Sequence, residues 1–393
     1  MDRLKLAVVG AGAGRGQAWL STVKKMSALY ELCAICDADK VRAKENASKW
    51  GCQPYTNLLE MLKKVGLDVV LCTTPPDANH AVACIAAEHG VNVIVEIPVA
   101  PTLPLANMMA KAAERNHVKI EVAENVYRWA TECLKRKIIG LGLIGEVIHV
   151  RLWYTSGPYH GFNAIRKILK SEAERVLGYA GVIKAPWFVD YLGRTVETRM
   201  WENGVIEFKS GVVCLYEMPP HGHRGNLWEV EGTEGQIVGN NLYLGSGGRR
   251  RPYPFNFEYT TVREGHVLDR VYVETEPPVI YENPYKDRGA SDNDEVARMR
   301  ILDRFYKAVT EDAEPEYGVE EGSRDQELCI SVRESALRGS SWVSLPLKDV
   351  TEVEKRMHEE YVKLYGHKPE EIYELIKVSF PRGGVRWAVA QWL

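Results

Sequence analysis

The sequence predicts an α/β protein in two parts, a doubly wound parallel sheet at the N-terminus followed by a second domain of α+β character. Three observations carry this. Through the first third, short apolar runs alternate with helical stretches, the pattern of parallel strands joined by crossover helices. A glycine-rich loop, Gly10-Ala11-Gly12-Ala13-Gly14-Arg15-Gly16, stands between the first apolar run and the first helical pattern. Near Gly145 the periodicity changes: Val147-Ile148-His149-Val150-Arg151-Leu152, Val205-Ile206-Glu207-Phe208 and Val212-Val213-Cys214-Leu215 alternate or cluster as antiparallel strands do. The domains expected are 1–125 for the parallel sheet, 126–348 for the second domain and 349–393 for a helical tail.

The elements follow in order. Leu6-Ala7-Val8-Val9 is the first strand, and helical spacing begins at Gln17. Leu32-Cys33-Ala34-Ile35-Cys36 is the second strand, closed by Asp37. A charged helix spans Lys40 to Trp50, another helix ends near Gly66, and Asp68-Val69-Val70-Leu71-Cys72 is the next strand. Thr73-Thr74-Pro75-Pro76 breaks the chain before a helix from about Asp77 to Gly90. Val91 to Val95, a helix around Leu105–Asn116, and Val118 to Val122 complete the alternation. In such a sheet ligands sit outside the carboxyl ends of the strands, where Asp37, Thr73 to Pro76, Glu96 to Pro98 and Glu124-Asn125 fall.

The loop reads as a dinucleotide cradle. Glycines permit a tight turn after a buried strand and let backbone N–H groups at a helix N-terminus approach a pyrophosphate, which the helix dipole favours. Gly10 and Gly12 match the pattern G-x-G-x-x-G, but Arg15 holds the third glycine position and Gly16 comes one residue late. Asp37 stands where an acid would hydrogen-bond an adenosine ribose, which favours NAD; Lys40 and Arg42 lie close enough to greet the 2′-phosphate of NADP.

Composition narrows the class. The chain has 393 residues, 45% hydrophobic and 26% charged, enough for a large core and two domains. Its net charge of −3 gives no basic face for nucleic acid, and Arg249-Arg250-Arg251 reads as a solvated loop. Met1-Asp2-Arg3 leads at once into a core strand and no apolar run approaches membrane-spanning length, so a cytoplasmic protein is expected. Eight scattered cysteines suggest reduced, buried thiols; Cys33 and Cys36 sit on opposite faces of a strand, so no metal site is expected there. Pro219-Pro220-His221-Gly222-His223-Arg224 carries two histidines in a turn with no nearby acid or cysteine, which again favours solvent over metal.

The order of motifs resembles the Gfo/Idh/MocA family of NAD(P)-dependent oxidoreductases. The marks are the glycine loop, Thr74-Pro75-Pro76 followed by His80, Glu96-Ile97-Pro98, Glu124-Asn125-Val126-Tyr127-Arg128, Gly145-Glu146-Val147, Asn203-Gly204 and Leu345-Pro346-Leu347, spread over nearly the whole chain. The resemblance implies a Rossmann domain paired with an open, mostly antiparallel sheet, and substrates among sugars, cyclitols and related polyols. It places NAD on Gly10, Gly12, Gly14, Arg15, Gly16 and Asp37, with Thr73, Thr74, Pro75, His80, Glu96, Pro98 and Asn125 completing the site. Association of copies through the open sheet is expected.

The family's usual motif after the fifth strand is Glu-Lys-Pro, and here isoleucine replaces the lysine. Ile97 cannot assist removal of a carbinol proton, so another base is needed. Glu-Ile-Pro resembles a branch of the superfamily, the NAD-dependent α-N-acetylgalactosaminidases, which look redox-neutral overall. The family's Gly-x-His-x-x-Asp helix start is best matched by Gly157-Pro158-Tyr159-His160-Gly161-Phe162-Asn163. His160 is therefore the expected acid–base group, with Tyr159 beside it and Asn163 in place of the aspartate. A rival register, Trp187-Phe188-Val189-Asp190, keeps the aspartate but puts tryptophan at the histidine position.

Tyr127, Arg128, Asn163, Arg166 and Lys184 are the candidate substrate contacts, Arg128 as a clamp for a carboxylate or sulfonate. Arg166 and Lys184 serve equally well in structural ion pairs. The segment Gly245 to Tyr285 is rich in Arg, Pro, Tyr and Phe, suited to sugar-stacking walls or to an oligomer interface. The tail from Val350 to Tyr373 reads as amphipathic helices with Tyr361, Leu364, Tyr365 and Ile372 on the packing side. Three functional classes remain open: redox-neutral glycosidic cleavage, a sugar or cyclitol dehydrogenase, and a sensor that binds sugar or NAD without turnover.

Overall fold

The computed structural model describes residues 3–12, 14–154, 157–189, 195–218, 226–245, 250–262 and 265–380. The chain forms two compact units that are discontinuous in sequence. Of the described residues, one comprises those within 3–124, 298–326 and 354–380; the other comprises those within 125–297 and 327–353.

The first unit is built on a six-stranded parallel sheet. Its strands are β1 (Leu4–Val9), β2 (Tyr30–Cys36), β3 (Gln53–Tyr55), β4 (Val69–Cys72), β5 (Asn92–Val95) and β6 (Ile120–Val122), in the spatial order β3-β2-β1-β4-β5-β6. Helices α1 (Arg15–Lys25), α2 (Lys40–Trp50), α3 (Leu58–Lys64), α4 (Pro76–Glu88) and α5 (Leu103–Arg115) make the crossovers. Both faces of the sheet are covered, which is why β4 is a continuous apolar run, all four residues buried, instead of an alternation. Register aligns Val9 with Cys36 and Cys72, Cys72 with Val95, and Val95 with Val122. Gly10, Asp37, Thr73 and Glu96, each one residue beyond its strand, therefore stand along one edge.

Two later stretches of chain return to this unit. Tyr30 donates its hydroxyl to the Leu302 carbonyl at 2.7 Å, and Arg298 Nε donates to Thr22 Oγ1 at 2.8 Å. The tail does not stand apart as a domain of its own. Tyr361 and Tyr365 donate to the Asp77 carbonyl and carboxylate at 2.7 and 2.6 Å, and the Glu354 carboxylate accepts from Leu103 N at 2.9 Å. The apolar stripe read from sequence is the buried side for Tyr361, Tyr365 and Ile372, whereas Leu364 is 50% exposed.

The second unit opens with a short 3₁₀ turn, Val126–Arg128, and α6 (Ala130–Gly140). Its large sheet contains β7 (Val147–Trp153), β8 (Ala173–Val189), β9 (Thr195–Phe208), β10 (Val213–Met218), β11 (Leu227–Gly232), β12 (Gly235–Val238), β13 (Asn241–Leu244) and β14 (Arg251–Pro254), with α7 (Tyr159–Leu169) following β7. A three-stranded sheet, β15 (Asn256–Val262), β16 (Gly265–Val273) and β17 (Val279–Glu282), comes next. It is followed by α8 (Asn293–Thr310), α9 (Val319–Leu337) and the short strand β18 (Val343–Ser344). The large sheet runs β14-β13-β12-β11-β7-β10-β9-β8-β18, antiparallel except for the β7–β10 pair. Behind it Arg333 and Glu202 form a buried ion pair at 2.9 Å, and Tyr216 donates to the same carboxylate at 2.8 Å. Neither charge is left unpaired.

Candidate functional site

The glycine loop is shaped by backbone packing. A Cβ on Gly10, whose φ is +91°, would stand 2.9 Å from the Thr73 carbonyl carbon. One on Gly16 would stand 2.8 Å from the Gly10 carbonyl oxygen. Gly16 thus makes the close helix-to-strand approach that the third glycine of the fingerprint makes, one residue later than the pattern requires. This accounts for Arg15 at the nominal position, where a side chain has room. Gly12 differs from both, since a Cβ there would meet no atom of the described residues within 4 Å. Protein packing does not demand a glycine at this point, but close approach of a pyrophosphate would. Gly14, at φ +77°, precedes α1 without a side-chain cap.

Asp37 ends β2 against this loop, only 5% exposed. Its carboxylate accepts from Ala11 N at 3.0 Å and Asp39 N at 2.9 Å, and Arg42 Nη2 and Nε donate to it at 2.8 and 3.2 Å. The carboxylate is held at the loop, with a half-exposed guanidinium beside it.

At the next strand ends, Thr73 donates its hydroxyl to the Gly10 carbonyl, and its amide bonds to Val9 O at 2.8 Å. Glu96, after β5, accepts at Oε1 from Arg15 Nε and Trp19 Nε1, both at 2.5 Å, while Oε2 accepts from Ile97 N at 3.2 Å. Arg15 and Glu96 are thereby one structural unit. Ile97 precedes a cis peptide to Pro98. Pro75 is the residue before α4, and Thr74 donates its hydroxyl to Asn79 Oδ1 at 3.0 Å. Sequence reasoning missed Asn79. Fully buried, its amide donates to the carbonyls of Glu96 and Pro98 at 2.7 and 3.2 Å, joining the ends of β4 and β5. A buried polar residue inside an apolar helix face was the signal available for it.

His80 stands elsewhere in this unit. It is fully buried, its Nε2 is 2.7 Å from the Pro369 carbonyl, and it packs edge-on to Tyr361. Burial pushes its pKa down from the ordinary 6.5 to about 4. These contacts make it an anchor for the tail.

The second unit holds the remaining candidates. Asn125 is buried and donates its amide to Asp294 Oδ1, while its own Oδ1 has no partner among the described residues. Tyr127 and Arg128 are also buried, the guanidinium lying 4.7 Å from the phenol ring centroid. Arg166, 3% exposed, is gripped by Glu172 through Nε and Nη2 at 2.7 and 3.0 Å, the structural ion pair that was one of its two readings. Asn163 is fully buried one turn into α7, and Lys184 is exposed on β8 opposite Thr198.

Tyr159 and His160 begin α7, both half-buried. Their ring centroids are 4.7 Å apart, and His160 lies 5.9 Å from Tyr154. Tyr154 in turn stacks on Trp228 at 6.4 Å, and the Trp228 indole donates to Glu132, which is paired with Lys135 at 2.6 Å. The result is a histidine set in an aromatic wall. In the rival register Trp187 is 69% exposed, and Asp190 lies outside the described residues, as do Ala13, His221, His223 and Arg249. Among the described residues no three metal-ligating side chains cluster, and no helix is long and apolar enough to cross a membrane.

Residues 4–124 match the family model described as an oxidoreductase family, NAD-binding Rossmann fold. This N-terminal domain is therefore one of the Gfo/Idh/MocA type. The glycine loop, with open space at Gly12 and Gly14, and the anchored carboxylate of Asp37 fit the NAD that this domain binds. Similar proteins include glycosyl hydrolase family 109 protein 2 of Akkermansia muciniphila, 27% identical over 159 residues, which are 38% of this chain and 33% of that protein. The D-apiose dehydrogenase of Rhizobium rhizogenes is 30% identical over 162 residues, 40% of this chain and 45% of that one. The chain thus spans less than half the length of these curated relatives. An NAD-binding oxidoreductase from Klebsiella pneumoniae shares the fold, with a TM-score of 0.67 at 21% identity, covering 88% of this chain and all of the other.

Proposed function

We propose that this protein acts on a sugar or glycoside by hydride transfer at a ring carbinol, and that its net reaction is redox-neutral cleavage of a glycosidic bond. Bound NAD supplies a two-electron hydride acceptor and donor. The observation that carries the reading is Ile97, an aliphatic side chain immediately after Glu96, where a dehydrogenase of this family has its lysine. The carbinol proton must then go to another group, and the half-buried imidazole of His160 takes it at a ring nitrogen. Tyr159, against that ring, moves the proton of the carbon next to the newly formed ketone, which the carbonyl has acidified. That proton would pass to the departing oxygen as the group at the anomeric carbon leaves, water would add across the resulting double bond, and bound NAD would supply the hydride that restores the carbinol. Atoms and electrons balance as glycoside plus water giving sugar plus alcohol.

The sugar class is supported by the glycosyl hydrolase and D-apiose dehydrogenase names among the relatives. The second name also favours the alternative, a dehydrogenase in which His160 or Tyr159 is the base and reduced cofactor is released. A panel of aryl glycosides separates the two: aglycone release without net absorbance of reduced cofactor supports cleavage, and stoichiometric absorbance supports oxidation. In D₂O the cleavage route places deuterium beside the oxidised carbon; an unlabelled product formed without NAD would rule it out. Ile97→Lys is expected not to raise turnover, because the site is organised around a different base. A large gain in dehydrogenase activity would show a site that merely lost its lysine. We place the protein in the cytoplasm as an assembly of identical chains, to be checked by fractionation and light scattering.

A further inference from the structure

We infer that Asn79, near the start of α4, is a positioning residue for the nicotinamide half of the cofactor, because its one amide holds the turn after β4 against the Glu96-Ile97-Pro98 turn after β5. A primary amide offers two N–H donors and an oxygen with two lone pairs. All four are used. Nδ2 donates to the Glu96 and Pro98 carbonyls at 2.7 and 3.2 Å, and Oδ1 accepts from the Thr74 hydroxyl at 3.0 Å and the Cys72 thiol at 3.6 Å. The residue is fully buried, where an apolar side chain would pack at a lower desolvation cost. A buried polar group with every bond made fixes one arrangement of the groups around it. Here those groups are the ends of two neighbouring strands.

Each end is tied a second time. A Cβ on Gly10 would stand 3.0 Å from Thr74 N, and Thr73 N donates to the Val9 carbonyl at 2.8 Å, so the turn after β4 is seated against the glycine loop. Glu96 is held through its carboxylate by Arg15 and Trp19, and through its carbonyl by Asn79. Because the two carbonyls that Asn79 grips belong to residues 96 and 98, Ile97 stands between two anchored neighbours. It is half-buried where both of them are buried. The sheet order decides which half of the cofactor is concerned. A dinucleotide lies across the point where the strand order reverses, here between β1 and β4. With the adenosine ribose at Asp37 after β2 and the pyrophosphate at the glycine loop after β1, the nicotinamide end extends over β4 and β5, the two strand ends that Asn79 joins.

The test is calorimetric titration of the full chain with NAD⁺ and, separately, with ADP-ribose, which lacks the nicotinamide. Asn79→Ala removes both donors and both acceptor contacts. Its NAD⁺ affinity is expected to fall by about tenfold, the factor carried by roughly one such hydrogen bond, while ADP-ribose stays within about twofold of native. Asn79→Asp keeps the size and the oxygen facing Thr74 and Cys72 but lacks the second pair of donors, and should show the same split. Equal losses for the two ligands would mark a loosened domain, and unchanged NAD⁺ affinity would mark an idle contact; either result overturns the inference. Failure of both variants to fold would overturn it too, by making Asn79 a requirement of the core alone. The inference rests on NAD binding by this domain and on no turnover, so a split between the two ligands in a protein that leaves the aryl glycosides intact would keep Asn79 in this role while the proposed reaction fails.

Discussion

The glycine loop after β1 and the start of α7 are both places where a strand hands over to a helix, yet they are built in opposite ways. At the loop the chain approaches itself so closely that two positions cannot carry a Cβ, and what it presents is backbone. At α7 it presents side chains, the half-buried rings of Tyr159 and His160, the latter also against the buried ring of Tyr154. A backbone cradle serves any dinucleotide, since a pyrophosphate asks only for N–H groups and space. In the function proposed above, the imidazole among aromatic rings would serve one reaction, since proton transfer depends on which atom the substrate brings to it.

Breaking the side-chain region should give the largest effect with the narrowest reach. His160→Ala is expected to lower turnover by about 10²–10⁴-fold while NAD affinity, measured by titration with the reduced cofactor, stays within about twofold. An equal loss of both would mean that the two regions are not separable.

A second effect belongs to the unit that carries the loop. His80 is neutral and buried, and its folded pKa of about 4 lies below the ordinary 6.5. Protons therefore bind the unfolded chain more tightly. The contribution of this group is complete above pH 6.5 and is lost as pH falls toward 4, about 3 kcal/mol in all. The melting temperature of His80→Gln should accordingly fall less between pH 7 and 4.5 than that of the native protein. Parallel curves would show that His80 does not titrate as its burial demands.

The glycines sharpen the contrast within the loop itself. Gly16→Ala pushes a methyl against the Gly10 carbonyl and should cost about 1–3 kcal/mol of stability along with NAD binding. Gly12→Ala meets no protein atom, so its melting temperature should be nearly native while NAD affinity drops by about tenfold or more. A Gly12→Ala protein that binds NAD normally would show that the open space is not where the pyrophosphate lies.

The smallest effect concerns the half-exposed Arg42 beside Asp37. Arg42→Ala should leave NAD binding close to native and weaken NADP by up to about fivefold, because the cation suited to a 2′-phosphate is gone. Asp37→Ala should weaken NAD more than NADP, and titration of each variant with both cofactors measures it.

The parallel sheet, its crossover helices and the row of residues at the strand ends were legible in the sequence. Continuous apolar runs, glycine at positions where only backbone fits and an acid closing a strand are local consequences of burial and sterics. The role of Gly16 was not, because the pattern counts residues while packing counts ångströms, and only the approach to the Gly10 carbonyl shows which glycine closes the turn. Charged and polar residues divided along the same line. The spacing of Arg166, His80 and Asn79 says nothing of their partners, and tertiary structure committed the first to Glu172, the second to the Pro369 carbonyl and the third to the ends of two strands.

By itself, then, the sequence determined the fold class and the glycine cradle, both matters of local pattern, while the resemblance to the family marked Ile97 as standing where its usual motif has lysine. The tertiary structure decided which glycine packs, which cations are spent in ion pairs, how the tail attaches through Tyr361 and Tyr365, and which aromatic rings surround His160. The physical reason is range: hydrophobic period and backbone sterics act between near neighbours in the chain, whereas a hydrogen bond or ring contact is chosen among groups that only folding brings together.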